Sequence, residues 1–333
     1  ELGWREFFQH LHAHRGEAGI REPIRAGVLP DEVYSRELPQ DVRYACTRVP
    51  VIDEAVRALY ARGYVHNHAR LWLASYLVHM RKVHWRVGAD WMYSHLLDGD
   101  IASNYLSWQW VAGTLNDKPY FFNAKSIEPF TPESWHSRGT SIDVSEEMIE
   151  IFAYSQATVS QAEPNEFGWD EPEVRATPPE SFALQAPDAA QVAGRMVWLV
   201  HPWQLADLPE TLPEDTVCIA LLWSEAFEAH PWSARRWKFV LERMQAITPH
   251  VWWGSQAQVQ AALSQARAVQ TVAHLRVPEW EGVTWLMQPL PRLFRTLDKQ
   301  CGSFSKWWVE VNRGVPHLQH LLYPQASRPL WRC

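Results

Sequence analysis

Asp100, Asn104 and Trp108 follow one another at intervals of four, so a helix through them carries a carboxylate, an amide and an indole in one row. That row would make a poor core face. It would make a good wall for a planar heterocycle with polar edges. Upstream, Asn67, Arg70 and Leu71 share a face of a second helical pattern. Arg70 is placed to need a carboxylate, and Asp98 and Asp100 are the candidates. A buried Arg–Asp pair is costly unless well hydrogen-bonded, which points to a purpose beyond stability.

The elements that must position these residues fall into two halves. The first 150 residues read as helical. In 53–62, Asp53 and Glu54 occupy the first turn and Arg62 precedes Gly63, as the helix dipole and a C-cap prefer. Residues 67–83 carry Leu71, Leu73, Ala74, Leu77 and Met80 at helical spacing, with Asn67 expected as cap. Residues 100–112 form the next helix, capped by Asp100. The second half alternates. Short apolar runs at 197–200, 217–223, 250–254, 269–275 and 283–287 read as strands, and helical patterns occupy 233–247 and 256–268. Strands alternating with helices predict a parallel sheet with helices packed on it. Residues 290–313 are expected to form one long closing helix or two. The expected fold class is thus α+β: a helical domain over 1–155, an acidic Pro-rich linker over 156–193, and a Rossmann-like α/β covering domain over 194–333.

Composition narrows the function classes. The 333 residues are 47% hydrophobic and 21% charged, an ordinary globular balance. No apolar run reaches the roughly 18 residues that span a bilayer. The opening ELGWREFF is charged and lacks an apolar stretch, so no signal peptide is expected. It also lacks an initiator Met, so the numbering is consistent with a start inside a longer gene product. Four cysteines without CxxC argue neither a zinc site nor a disulfide framework, and fit a reduced cytoplasm. The net charge of −7 is local: residues 143–188 hold eleven acidic side chains and one basic. That stretch would repel nucleic acid, so any such partner binds elsewhere. There is no GxGxxG and no GxxxxGK[ST] to cradle phosphates. Asp98-Gly-Asp100 fails the EF-hand spacing. Of His10, His12 and His14 only the first and last share a helix face, so a solvated surface is expected there and no metal. Trp72, Trp91, Trp307 and Trp308 read as core.

Four clusters remain: Glu1-Leu-Gly-Trp4-Arg5-Glu6-Phe7; His66-Asn67-His68-Ala69-Arg70-Leu71-Trp72; Asp98-Gly99-Asp100-Ile-Ala-Ser-Asn104; and Ser107-Trp108-Gln109-Trp110-Val-Ala-Gly113 followed by Lys118-Pro-Tyr-Phe-Phe-Asn123. In this order and spacing they resemble the flavin-binding catalytic domain of the photolyase/cryptochrome superfamily. The family places its α/β domain first, whereas here it follows, which resembles a bacterial subgroup with inverted order whose trailing domain covers the flavin site. The resemblance implies FAD as cofactor and a light-driven lyase that splits cyclobutane pyrimidine dimers by electron transfer from photoexcited reduced FAD. UV-damaged DNA, preferentially single-stranded, is the implied partner of a monomeric protein.

The resemblance also implies roles. Asn104 matches the position facing flavin N5, where an amide offers both donor and acceptor. Arg70 and Asp98 match an ion pair beside the isoalloxazine, Asp100 a residue at its polar edge, and Arg5 a flavin-side position near a phosphate. Trp108 and Trp85 match the first two indoles of an electron-hopping chain. Glu1, Trp4, Asn67 and Trp110 match the lesion pocket, two indoles clamping the splayed pyrimidines by stacking. There are departures. Asn67 and Leu71 stand where (6-4) repair needs a His pair, so that activity is disfavoured, and His68 replaces a common phosphate-binding Arg. The family's Thr-Ser-rich diphosphate clamp would lie upstream of Glu1; either the sequence is truncated or Gly302-Ser303-Phe304-Ser305-Lys306 compensates. A light sensor that binds FAD without repairing DNA, and a flavin-free scaffold, are the alternative readings. The presence of Glu1, Trp4, Asn67, Asn104 and Trp110 favours repair, since a sensor needs no full lesion pocket.

Overall fold

A computed structural model describes residues 2–161 and 168–315. The helical half is built from α1 (Leu2–Arg21), α2 (Pro50–Arg62), α3 (Asn67–Ser75), α4 (Trp85–His95), α5 (Ile101–Ala112) and α6 (Glu146–Ala153), with shorter turns between them. α5 is the hub: α1, α3 and α4 all pack on it. Val111, Tyr105 and Leu106 are buried at its centre. Asp100 caps α5 as expected, its carboxylate accepting from the Ser103 N–H at 2.8 Å. α2 ends at Gly63, whose positive φ of 65° suits glycine.

Two local expectations change. Asn67 is not the cap of α3: His66 is, without a side-chain bond, and Asn67 is the first helical residue. The helix expected over 67–83 becomes α3 plus a π turn at Tyr76–Met80. Lys82 ends it, donating its ammonium to the carbonyls of His79, Phe152 and Ala153 and so capping two helix ends at once.

The second half holds a five-stranded sheet, all parallel, of β1 (Met196–Val200), β2 (Val217–Trp223), β3 (Val251–Gly254), β4 (Ala268–Val272) and β5 (Trp285–Gln288) in the order β3-β2-β1-β4-β5. α7 (Ala234–Ile247) and α8 (Gln256–Leu263) connect strands, and both begin at serine caps, Ser233 and Ser255. β1 and β2 are buried on both faces, as unbroken apolar runs require. The order reverses between β1 and β4, the switch point at which open α/β sheets form their ligand crevice.

The segment expected as a linker is packed rather than free. Trp169 N–H donates to Tyr44 at 2.7 Å, and Glu171 pairs with Arg43 at 2.6 Å and His95 at 3.3 Å. Gln185 exchanges bonds with Val251 and Trp253 at the sheet edge. The closing segment also differs from expectation. Residues 289–303 are irregular, their backbone held against α1 where the N–H groups of Leu293, Phe294 and Cys301 donate to the side chains of Glu6 and His10. Only α9 (Phe304–Val311) is helical. Its Trp307 and Val311 join the helical core, not the sheet.

Three buried side chains bind the halves. Arg236, at the start of α7, donates to the carbonyls of Tyr93 and Gly99 and lies over the Tyr93 and Trp232 rings at 4.3 and 4.4 Å. Arg276 pairs with Glu17 at 3.0 Å and donates to the Tyr93 hydroxyl at 3.1 Å. His230 accepts from Arg21 at 2.7 Å and turns Nδ1 toward Glu17 at 3.6 Å. Burial, and then the three arginines around it, push the His230 pKa down to about 2. The imidazole is therefore the neutral partner such a crowded cationic seam needs.

Candidate cofactor and substrate site

Three cavities adjoin α5, and the row of Asp100, Asn104 and Trp108 lines the innermost of them. The innermost, a recess of about 110 Å³, is walled by Arg70, Asp98, Asp100, Asn104 and Trp108 together with Asn67 and Ser103. Arg70 and Asp98 form the expected pair, Nη2 lying 3.0 and 2.8 Å from the two carboxylate oxygens, while Nε donates to the Val65 carbonyl. The pair is part exposed rather than buried, so the expected desolvation cost is small. Asp100 spends one oxygen on its cap and the other on Gln9 Nε2 at 2.6 Å. Gln9 is a recess residue that no sequence pattern singled out.

Asn104 is buried, and its amide donates to the Ala89 carbonyl at 2.8 Å. That fixes the side chain and leaves one N–H and Oδ1 for the recess. Ser103 Oγ is buried with no hydrogen-bond partner in the structure, and it borders the same space. Such an orphan hydroxyl is rare in folded proteins and calls for a ligand atom. Trp108 is 2% exposed and packs its six-membered ring against Gly88, in the space a Cβ would occupy. Trp85 sits one turn before Gly88 on α4, edge-on to Tyr105 at 6.2 Å, its indole N–H buried without a partner. The recess therefore suits the flat tricyclic ring of a flavin: polar donors and acceptors at its rim, an indole at its side.

A second pocket of about 290 Å³ opens beside it, sharing Asn67, Leu71, Ser103 and Ser107. Trp4, Asn67 and Trp110, expected together, line it. Both indoles are backed by another ring: Trp4 stacks on Phe304 at 4.1 Å and 13°, and Trp110 on Tyr120 at 5.5 Å and 28°. Glu1, expected here, lies outside the described residues.

The third cavity, a cleft of about 540 Å³, runs between the two halves. The helical half contributes Arg5, Gln9 and Asp98–Asp100; the α/β half contributes Trp203, Arg236, His274 and Arg292. The covering role expected of the trailing half has this geometric form. The segment Gly302–Lys306, expected as a diphosphate clamp, does not line the cleft: Ser303 caps α9 and Phe304 packs on Trp4. The histidines of α1 differ too. His10 and His12 are buried, not solvated, and His10 Nε2 accepts from the Cys301 N–H at 3.0 Å. Among the described residues no group of three or more His, Cys, Asp or Glu is arranged to hold a metal, and no helix is long and apolar enough to cross a membrane.

Residues 1–143 match the family described as the FAD binding domain of DNA photolyase. A deoxyribodipyrimidine photo-lyase of Escherichia coli (strain K12) is 38% identical over 125 residues, 36% of this chain and 26% of that protein. A protein of Gloeobacter violaceus named cryptochrome DASH is 33% identical over 144 residues, 40% of this chain and 27% of its own length. A solved archaeal photolyase from Sulfolobus tokodaii with two FAD molecules aligns at 27% identity with a TM-score of 0.35, covering 44% of this chain and 36% of that one. The chain spans about a quarter of the length of these curated relatives.

Proposed function

We propose, from the membership of residues 1–143 in the photolyase/cryptochrome superfamily and their FAD-binding fold, that this protein repairs cyclobutane pyrimidine dimers in DNA, with single strands preferred. The observation that carries the reading is the meeting of Trp4, Asn67 and Trp110 in one pocket that shares a wall with the flavin recess. Reduced FAD, when bound, supplies one electron to the lesion on absorbing blue light and takes it back once the ring bonds have split.

Each residue has a task. Trp4 and Trp110, held by their backing rings, receive the two flat pyrimidines of a flipped-out lesion by stacking. Asn67 offers an amide to their carbonyl and imide edges. Asn104, fixed by Ala89, meets the cofactor's polar edge with a donor and an acceptor. Arg70 and Asp98 bracket the rim of the recess as a pair with no net charge. Trp108, and behind it Trp85, form the path by which an oxidised cofactor is re-reduced. Flipping a lesion out of a single strand requires no unpairing, and the strand preference itself rests on the resemblance to the subgroup with inverted domain order.

The test is illumination of the reduced protein with UV-damaged oligo(dT), following the return of pyrimidine absorbance. Recovery in light and not in darkness supports repair, and a matched duplex then measures strand preference. A yellow protein that photoreduces but restores no absorbance would be a light sensor.

A further inference from the structure

Trp110, one wall of the proposed lesion pocket, is the inner end of a row of rings that runs out to the surface. It stacks on Tyr120 at 5.5 Å and 28°. Tyr120 is clamped between two helices: its N–H donates to the Val111 carbonyl of α5 at 3.0 Å, and its carbonyl accepts from Ser75 Oγ of α3 at 2.8 Å. Beside its hydroxyl stands the Trp72 indole. Trp72 stacks on His68 at 6.1 Å and 19°, and His68 on Phe130 at 5.5 Å and 28°. Trp72 is buried, His68 is exposed, and Phe130 is 67% exposed.

Single exposed apolar side chains are common and need no explanation. Phe130 differs in being held. It ends a 3₁₀ turn, Glu128–Phe130, that follows a capping box at Asn123 and Ser126 and is rooted in the core by Ile127. Thr131 Oγ1 donates to the Ile127 carbonyl at 2.9 Å, and Arg138 grips the two oxygens of Glu128 at 2.6 and 2.7 Å. A phenyl ring fixed on such a turn, with an imidazole against it and most of its surface open, is a platform for another flat ring. Its other member, His68, directly follows Asn67, which lines the pocket, and both are exposed on the first turn of α3. The platform begins one residue from the pocket.

We infer that His68 and Phe130 form a stacking shelf for the unpaired base next to the lesion in the same strand. This rests on the reading of Trp4, Asn67 and Trp110 as the lesion pocket. Every base has a flat face, so stacking on an aromatic ring is tolerant of sequence. In a single strand the flanking base is free to lie on the shelf. In a duplex it is paired and must first be unpaired, at a cost in free energy. The shelf thereby gives strand discrimination a location in named side chains.

The experiment compares lesions with and without a flanking base. Full-length protein is titrated with a thymine dimer dinucleotide, with the same dimer at a fixed place in single-stranded oligo(dT), and with that strand in a duplex. Phe130→Ala should weaken the single-stranded ligand about 5- to 150-fold, the scale of one base–aromatic stack, and leave the dinucleotide unchanged. The duplex should lose less, so the preference for single strands falls. Phe130→Trp should restore binding, and His68→Ala should act in the same direction. An abasic nucleotide on one side of the dimer should cost the wild type the same factor and cost Phe130→Ala nothing more. Equal loss for dinucleotide and oligonucleotide, or no loss for either, overturns the proposal. Wild-type protein that binds damaged and undamaged strands alike overturns it together with the lesion pocket. Failure of light-driven repair, with the effect of the flanking base intact, would remove the repair reading and leave the shelf standing.

Discussion

The indole of Trp108 lies so close to the backbone of Gly88 that a Cβ added there would sit 2.2 Å from the ring. The contact joins α4 to α5 at the edge of the recess that Asn104 and Arg70 wall, and only glycine permits it. Gly88→Ala should therefore displace the indole, destabilise the helical half by about 1–3 kcal/mol as overpacking does, and slow flavin photoreduction. Melting curves and photoreduction rates measure both. Trp108→Phe should keep the fold and slow photoreduction while sparing repair by enzyme reduced beforehand. Equal loss of both activities would remove Trp108 from the electron path.

Trp110 has its position set by Tyr120, not by the ligand. Trp110→Ala should weaken binding of a lesion-bearing oligonucleotide by about 1–3 kcal/mol, the scale of one base–aromatic stack, with bound flavin retained. Gel shifts and the flavin absorption spectrum separate the two. A variant that loses its colour would show that the indole belongs to the cofactor site.

Arg236 is the bolt between the halves. Arg236→Ala would leave the Tyr93 and Gly99 carbonyls unpaired and open a cavity between two rings, for a loss of about 2–4 kcal/mol in denaturant unfolding. Arg236→Lys should not restore it, because one ammonium cannot span both carbonyls and lie flat on the aromatics. Full recovery by lysine would mean that charge alone matters at this site.

Stability should fall in acid through histidines that the fold keeps neutral. Burial lowers the pKa of both His79 and His201 to about 4, against 6.5 for the free side chain. Each donates Nε2–H to a carbonyl, of Val111 and Val272 respectively, and each Nδ1 is buried without a partner for a second proton. As pH drops below 6.5 the unfolded chain takes up protons that the folded chain refuses. The stabilisation present above 6.5 is thus lost progressively down to about pH 4, at up to about 1.4 kcal/mol per pH unit for each ring. Urea midpoints across that window should slope downward with acid. A flat profile, or one unchanged in His79→Gln, would contradict it.

Legibility followed the range of the interactions. The Asp100 cap was readable from local helix spacing, whereas the Arg70–Asp98 pair and the meeting of Trp4, Asn67 and Trp110, distant in sequence, were readable only through the resemblance of the compound motif. The parallel sheet was readable from its apolar runs. The seam of Arg236, Arg276 and His230 was not, because it comes from docking of the two halves, which no spacing encodes. The closing helix, expected from 290, was overestimated because residues up to 303 spend backbone N–H groups on the Glu6 and His10 side chains of α1, contacts from the far end of the sequence. His10 looked solvated for a related reason: the segment that covers it, at Cys301, comes from the other end of the sequence.

The contacts of Phe304 with Trp4 and of Glu171 with Arg43 and His95 tie the α/β half to the helical half on both sides of the sheet sequence. A body held at two edges has no hinge about either. The cleft it closes is reached by local breathing and not by swinging open, so a ligand seated across it would exchange slowly. Its residence time would be set by the unfastening of those tethers, and loading would be easiest while the two halves are still assembling.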